Sequence, residues 1–279
     1  MTESGLIFLT YLSKSGVITD PILKKNISNY IMSLVNWLYT TSGYYDKEVN
    51  GNYFNFNYSA LNKNFFNFVK DIGSTLENCD KTYMLFHKGF VTDMFQIYGN
   101  EFINKFSINN LYISNHLKFE DRSQEIFDNI KDKKVLIISS FDGLIKKQFE
   151  SGNVYKIYNK FPQIKKLETL KFPYCFLNNG PDKNYFETLD KIYNQIKEID
   201  FDIALLGCGA YGHMLTHKIH KELNKDAIYV GGYIQTLFGI KNTRNDEHKD
   251  LVTNQYWITE IPDEYKPSNY QLIENGCYW

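Results

Sequence analysis

Gly207, Gly209 and Gly212 are the residues of this chain whose spacing most readily does chemistry. They form Gly-x-Gly-x-x-Gly directly after the apolar run Ile203 to Leu206. Such a spacing makes a tight strand-to-helix turn, lets backbone approach a phosphate closely, and packs a helix start on its sheet. A second apolar run, Ala227 to Val230, ends in Gly231-Gly232. Helix N-termini at such bends point unpaired N–H groups outward, so an anionic small molecule suits them. Gln235 follows on the next turn, where an amide can read a base or a sugar hydroxyl. Arg244 comes shortly after, and a guanidinium binds phosphate in a bidentate way. The competing reading is that these glycines only make tight joints. A dinucleotide fold would add a carboxylate at the end of the second strand. Tyr229-Val230-Gly231-Gly232 has none, which disfavours NAD or FAD. No Lys-Ser/Thr pair follows the glycines, so the Walker pattern is absent.

Ser139, Ser140 and Asp142 follow an earlier apolar run, Val135 to Ile138. At a helix start such residues are first of all caps. The rival reading has Asp142 facing a crevice shared with Gly207 and Gly231, as a general base or a partner to a sugar hydroxyl. The closing segment Glu274-Asn275-Gly276-Cys277-Tyr278-Trp279 is too apolar for a mobile tail and is expected to dock. Burying a Trp stabilises by about 2–3 kcal/mol. Docking would carry Glu274 toward the same crevice as a second candidate base. His213, His217 and His220 share a helical stretch but no HEXXH surrounds them, so they read as a surface or packed helix. The cysteines Cys79, Cys175, Cys208 and Cys277 form no CxxC pair and read as separate reduced thiols. No metal ligands are assigned.

The elements that must hold these residues follow from periodicity. Continuous apolar runs mark strands covered on both faces, and strands alternating with helices argue for a mainly parallel sheet. The expected fold is α/β: a Rossmann-like sheet with helices on both faces, filling residues 131–279 and closed by the docked tail. Residues 1–130 form a helical, aromatic-rich half. There Pro21 after Asp20 marks a helix start, and a helix resumes from Ser59 to Leu76. Thr82 to Phe86 and Asn110 to Ile113 are short strands around a helix from Phe90 to Phe102. Asn50-Gly51 suggests a hairpin, Ile164 to Leu170 an edge strand, and Gln255 to Glu260 a last strand.

Composition bounds the function classes. A chain of 279 residues with net charge -1 has no global electrostatic case for nucleic acid or an anionic membrane. Its 22 Tyr and 21 Phe fit the codon bias of an AT-rich genome rather than a stacking surface for single strands. No run approaches the roughly 20 apolar residues of a membrane helix. A cytoplasmic location is the default expectation.

The runs VLIISSFDGLIKKQ, FDIALLGCGAYGHML, GGYIQTLFGIKNTR and ENGCYW, with SGYY at Ser42 to Tyr45, resemble a family of proteins from bacterial surface-polysaccharide gene neighbourhoods and some large viruses. That family is similar to glycosyltransferases with a Rossmann-like core. The resemblance covers about residues 40–279. It places Gly207, Gly209, Tyr211 and Gly212 on the family's glycine turn. Gly232, Gln235, Phe238, Gly239, Lys241 and Arg244 fall on its second motif, and Glu274, Gly276, Cys277, Tyr278 and Trp279 on its tail. It implies a nucleotide sugar as donor substrate and a glycan or other hydroxyl acceptor as partner. A homo-oligomer is left open. The family's N-terminal Gly-x-x-Glu element, which implies a divalent metal, has no counterpart after Gly5 or Gly16. The Arg-Trp of the second motif is Arg244-Asn245 here. The expected function is therefore sugar transfer from a nucleotide sugar to a hydroxyl. The alternative is a non-catalytic nucleotide- or sugar-binding or structural relative that has lost turnover.

Overall fold

The structure, a computed structural model, describes residues 2–49, 60–76, 79, 82–84, 89–106, 108, 111–113, 119–243 and 253–279. The Asn50-Gly51 hairpin and Arg244 lie outside the described residues. The chain separates into two compact units, Met1–His116 with Phe176–Asn178, and Leu117–Cys175 with Asn179–Trp279.

The first unit contains α1 (Thr2–Ser15), α2 (Pro21–Trp37), α3 (Lys63–Leu76), β1 (Thr82–Met84), α4 (Phe90–Lys105) and β2 (Leu111–Ile113), with β1 and β2 paired in parallel. Asp20 caps α2 by accepting the Leu23 amide at 2.9 Å, with Pro21 in the first turn where its missing N–H costs nothing. The core is aromatic: Phe8 of α1 meets Phe95 and Phe102 of α4 edge to face at 5.2 and 5.3 Å. Past α2 a π-helical turn, Leu38–Ser42, ends at Gly43 with φ 84. Asp46 follows, fully buried. One of its carboxylate oxygens accepts from Asn62 Nδ2 at 2.8 Å and Asn64 Nδ2 at 3.0 Å, the other from the Glu48 amide at 3.0 Å. Removing this acceptor would leave buried donors unsatisfied, so Asp46→Ala is expected to destabilise the first unit by about 3 kcal/mol. A lower urea midpoint checks this, and an unchanged midpoint refutes it.

The second unit contains α5 (Phe119–Ile130), β3 (Lys134–Ser139), α6 (Asp142–Glu150), α7 (Asn153–Ile157), β4 (Lys166–Lys171), α8 (Tyr185–Lys197), β5 (Ile203–Gly207), α9 (Tyr211–Leu223), β6 (Asp226–Tyr229) and α10 (Tyr233–Leu237). Its sheet is wholly parallel, in the order β4-β3-β5-β6. The protein is thus an α/β protein whose parallel sheet is surrounded by helices, as the apolar runs require.

The chain steps outward from β3 to β4, then back across β3 to β5 and on to β6. Right-handed crossovers in opposite directions put α6 and α7 on one face and α8 and α9 on the other. On the first face Val135, Ile137, Ile203 and Leu205 pack with Leu144 and Ile145 of α6 and with Ile234, Leu237 and Phe238. The alternate residues Leu136, Ile138, Ala204 and Leu206 point to the other face and are equally buried. Burial on both faces is why these strands read as unbroken apolar runs. Among the described residues β4 pairs only with β3, and this strand carries Lys166 and Lys171.

The strand expected at Gln255 to Glu260 does not form. Only a single bridge joins Ile240 to Ile258. Asn254 bends the chain instead, its side chain accepting the Tyr256 amide at 3.1 Å and its carbonyl the Trp257 amide at 3.2 Å. Local side-chain bonding of this kind competes with a ladder.

Candidate functional site

The strand order reverses between β3 and β5, where Ser139 is paired with Gly207. In open parallel sheets ligands bind outside the carboxyl ends of the strands at such a reversal. The two glycine bends, after β5 and β6, meet next to it. A Cβ added to Gly207 would stand 2.9 Å from the Gly231 carbonyl oxygen and 2.4 Å from Ile234 Cγ2. The Leu206 carbonyl holds the bends together by accepting the amides of Val230 at 2.9 Å and Gly231 at 3.1 Å.

The glycines divide by role. Gly207, Gly209, Gly231 and Gly232 are half-buried and so lie at the surface of the bends. Gly212 is buried beneath the Tyr229 ring, whose Cδ2 would be 2.1 Å from an added Cβ. It serves close helix-to-strand packing. The Gly212 amide donates to the Gly209 carbonyl at 3.0 Å and the Gln235 amide to the Gly232 carbonyl at 3.3 Å.

Tyr211 lies inside the core. Its buried ring stacks on Tyr185 at 4.2 Å and meets Phe172 at 4.9 Å. Its place in the glycine turn is one of packing, because the first turn of α9 faces α8. Tyr185 closes the turn from the other side, donating its hydroxyl to the Ala210 carbonyl at 3.2 Å.

Gln235 is 1% exposed and its amide is engaged at both ends. Nε2 donates to the Tyr278 carbonyl at 2.8 Å, and Oε1 accepts from Asn242 Nδ2 at 3.1 Å. In this conformation it anchors the closing segment rather than facing a ligand. Lys241 is half-buried, and its backbone amide donates to the Ile258 carbonyl at 2.9 Å.

The closing segment is held closely. Thr243 donates its amide and its hydroxyl to the Cys277 carbonyl at 3.1 and 3.2 Å. The Tyr278 ring lies on Gly232, where an added Cβ would be 2.6 Å from Cε1. Glu274, Asn275 and Gly276 take successive left-handed conformations with φ 48, 56 and 70. Glu274 accepts the Cys277 thiol at 3.1 Å, so its carboxylate bonds within its own turn.

Asp142 opens α6 at the carboxyl end of β3 and is half-buried. No side chain caps that helix; Ser139 instead accepts the Phe141 amide at 3.1 Å within the loop. The Tyr265 hydroxyl sits over Gly143, 2.2 Å from where a Cβ would be, an approach only glycine permits. The Tyr265 carbonyl accepts both the Tyr174 hydroxyl at 2.5 Å and Trp279 Nε1 at 2.7 Å. Burial pushes the Tyr174 phenol up to about 12, partly offset by hydrogen bonding with Trp279 and reinforced by Tyr265 and the charge of Asp142. Burial likewise raises Tyr265, with Asp142 and Glu264 adding to it.

Tyr174 and Tyr265 were not expected at this end of the sheet. Gly143 is the one local hint, a glycine in a first helical turn. The histidines of α9 show no ligand arrangement: His213 rests edge-on against Tyr229 at 4.8 Å, and burial, then Lys221 and His220, lower His217. Among the described residues no group of three or more His, Cys, Asp or Glu is placed to hold a metal ion. Cys208 is buried, which raises its thiol and keeps it protonated, with Cys175 adding to the effect. No helix of the described residues is long and apolar enough to cross a membrane.

Comparison with known proteins adds one finding. No curated protein and no solved structure matches the chain. A family model described as a GT-D fold-like domain matches residues 180–237, the stretch running through α8, β5, α9 and β6 to the end of α10. Both glycine bends lie within it, and that part of the chain is similar to a glycosyltransferase-type fold.

Proposed function

We propose that this protein binds a nucleotide sugar above the carboxyl ends of β3, β5 and β6 and transfers the sugar to a hydroxyl acceptor. The observation that carries this reading is the contact of the two glycine bends at the ends of β5 and β6, beside the strand-order reversal and inside the stretch similar to the GT-D fold. The diphosphate lies against the surface glycines Gly207, Gly209, Gly231 and Gly232, with Lys241 and Arg244 as cations. Asp142 is the better-placed base, because Glu274 bonds within its own turn.

In the transfer, the acceptor oxygen forms a bond to the anomeric carbon as the bond from that carbon to the diphosphate oxygen breaks. The bonding pair leaves with the diphosphate, and the acceptor proton passes to the Asp142 carboxylate. Amides and cations at the bends stabilise the negative charge that builds on the leaving group.

A panel of nucleotide sugars, screened by thermal shift with and without magnesium or manganese, tests the reading. A cognate donor at about 100 times its Kd should stabilise the protein by about 2.7 kcal/mol. Nucleoside diphosphate should then be released when an acceptor is supplied. One observation favours a second reading, a binding protein without turnover: Tyr278 covers Gly232 and occupies the amide of Gln235. Stabilisation without release under any acceptor would select it. No stabilisation by any nucleotide sugar refutes both.

A further inference from the structure

An aromatic cluster forms at the carboxyl end of β3, near enough to Asp142 for its charge to act on Tyr174 and Tyr265. The Trp279 ring lies 6.2 Å from Phe141, 6.0 Å from Tyr174 and 5.6 Å from Tyr270. Tyr265 stacks on Phe141 at 6.4 Å with an interplanar angle of 15°. These residues come from distant parts of the chain and all belong to the second unit.

Phe141 belongs to the core of the second unit and Tyr265 and Trp279 pack against it, so the cluster forms a rim of that core. Core tyrosines of this protein, such as Tyr39, Tyr44, Tyr185 and Tyr211, are wholly buried. Tyr174, Tyr265, Tyr270 and Trp279 instead remain half-buried. The polar ends of Tyr174 and Trp279 are also both tied to the Tyr265 carbonyl. With those polar ends occupied, what these two rings can offer a ligand is ring carbon.

We propose that this cluster with Asp142 is a saccharide-binding face, and that the acceptor is a pyranose-bearing glycan rather than a hydroxyl of a protein or a lipid. This rests on the glycosyl-transfer reading above. The face of an aromatic ring is electron-rich, and the C–H face of a pyranose carries slight positive charge, so the two pack together. The hydroxyls around the pyranose rim need strong acceptors, and Asp142 supplies one. Transfer also requires donor and acceptor side by side. Tyr278 links the two places: its ring covers Gly232 of the donor bend and lies 5.8 Å from Trp279.

Saturation-transfer NMR with methyl glucoside, methyl galactoside, N-acetylglucosamine, cellobiose and lactose tests the face. Wild-type protein should bind at least one of them. Trp279→Leu should weaken that binding at least tenfold, and Trp279→Phe, which keeps a ring, should hold it within about threefold. The nucleotide-sugar thermal shift should persist in both. Should the leucine variant not fold, tryptophan emission decides. In a Trp37→Phe background, saccharide should change the emission of the protein but not of its Trp279→Phe variant, since the remaining Trp257 is 6% exposed. Equal binding by the leucine variant, or an equal emission change in the phenylalanine variant, overturns the proposal. Nucleotide stabilisation without binding of any saccharide in the panel overturns the face alone. Saccharide binding without nucleotide stabilisation refutes the donor reading and with it the assignment of this face to an acceptor.

Discussion

Asp142→Asn is expected to lower sugar transfer about 10²–10⁴-fold, the usual contribution of a positioned general base. Asparagine keeps the size and the acceptor oxygen of aspartate but cannot take a proton. Donor binding, read by thermal shift, should stay close to wild type because the diphosphate is assigned to the bends after β5 and β6. Glu274→Gln is the informative comparison. Glu274 accepts the Cys277 thiol inside a left-handed turn, so its loss should disturb the closing segment and leave transfer within about tenfold of wild type. Transfer rates of the two purified variants under saturating donor separate the possibilities. Normal turnover by Asp142→Asn removes it as the base, and a larger loss in Glu274→Gln would move that role to Glu274.

The second large effect is expected at Gly207. Alanine there would place its methyl 2.4 Å from Ile234 Cγ2 and 2.9 Å from the Gly231 carbonyl oxygen. Ile234 is buried, and the carbonyl is backbone, so neither gives way easily. Overpacking of this kind costs about 1–3 kcal/mol. The change would also separate the bends after β5 and β6, so nucleotide stabilisation should fall along with the melting temperature. Gly152 provides the control. Its φ is 70 but nothing lies within 4 Å of an added Cβ. Gly152→Ala should therefore cost only the left-handed backbone strain of about 1 kcal/mol and leave nucleotide binding intact. If Gly207→Ala melts and binds like wild type, the contact between the bends is not what shapes the site.

Much of the second unit was legible along the chain. The runs at Val135 to Ile138 and Ile203 to Leu206 became central strands because only strands covered on both faces are apolar throughout. Asp20 with Pro21 marked a helix start because capping is local chemistry. Gln255 to Glu260 misled because its apolar pattern competes with the side chain of Asn254, which bends the chain before a ladder can form. Tyr211 and Gln235 show the same limit at the site. Residue type and position suggested ligand contact, yet the face each side chain takes depends on partners far away. Tyr185 stacks on Tyr211, and the Tyr278 carbonyl holds Gln235.

By itself, the sequence determined the parallel α/β class, the central strands and the two glycine bends, since each depends on neighbours within a few residues. Only the tertiary structure decided that β5 lies beside β3, that Gly207 touches Gly231, and that Phe141, Tyr174, Tyr265 and Trp279 gather into one cluster. Those contacts join residues dozens of positions apart, and strand order and the packing of whole helices set them rather than any local preference.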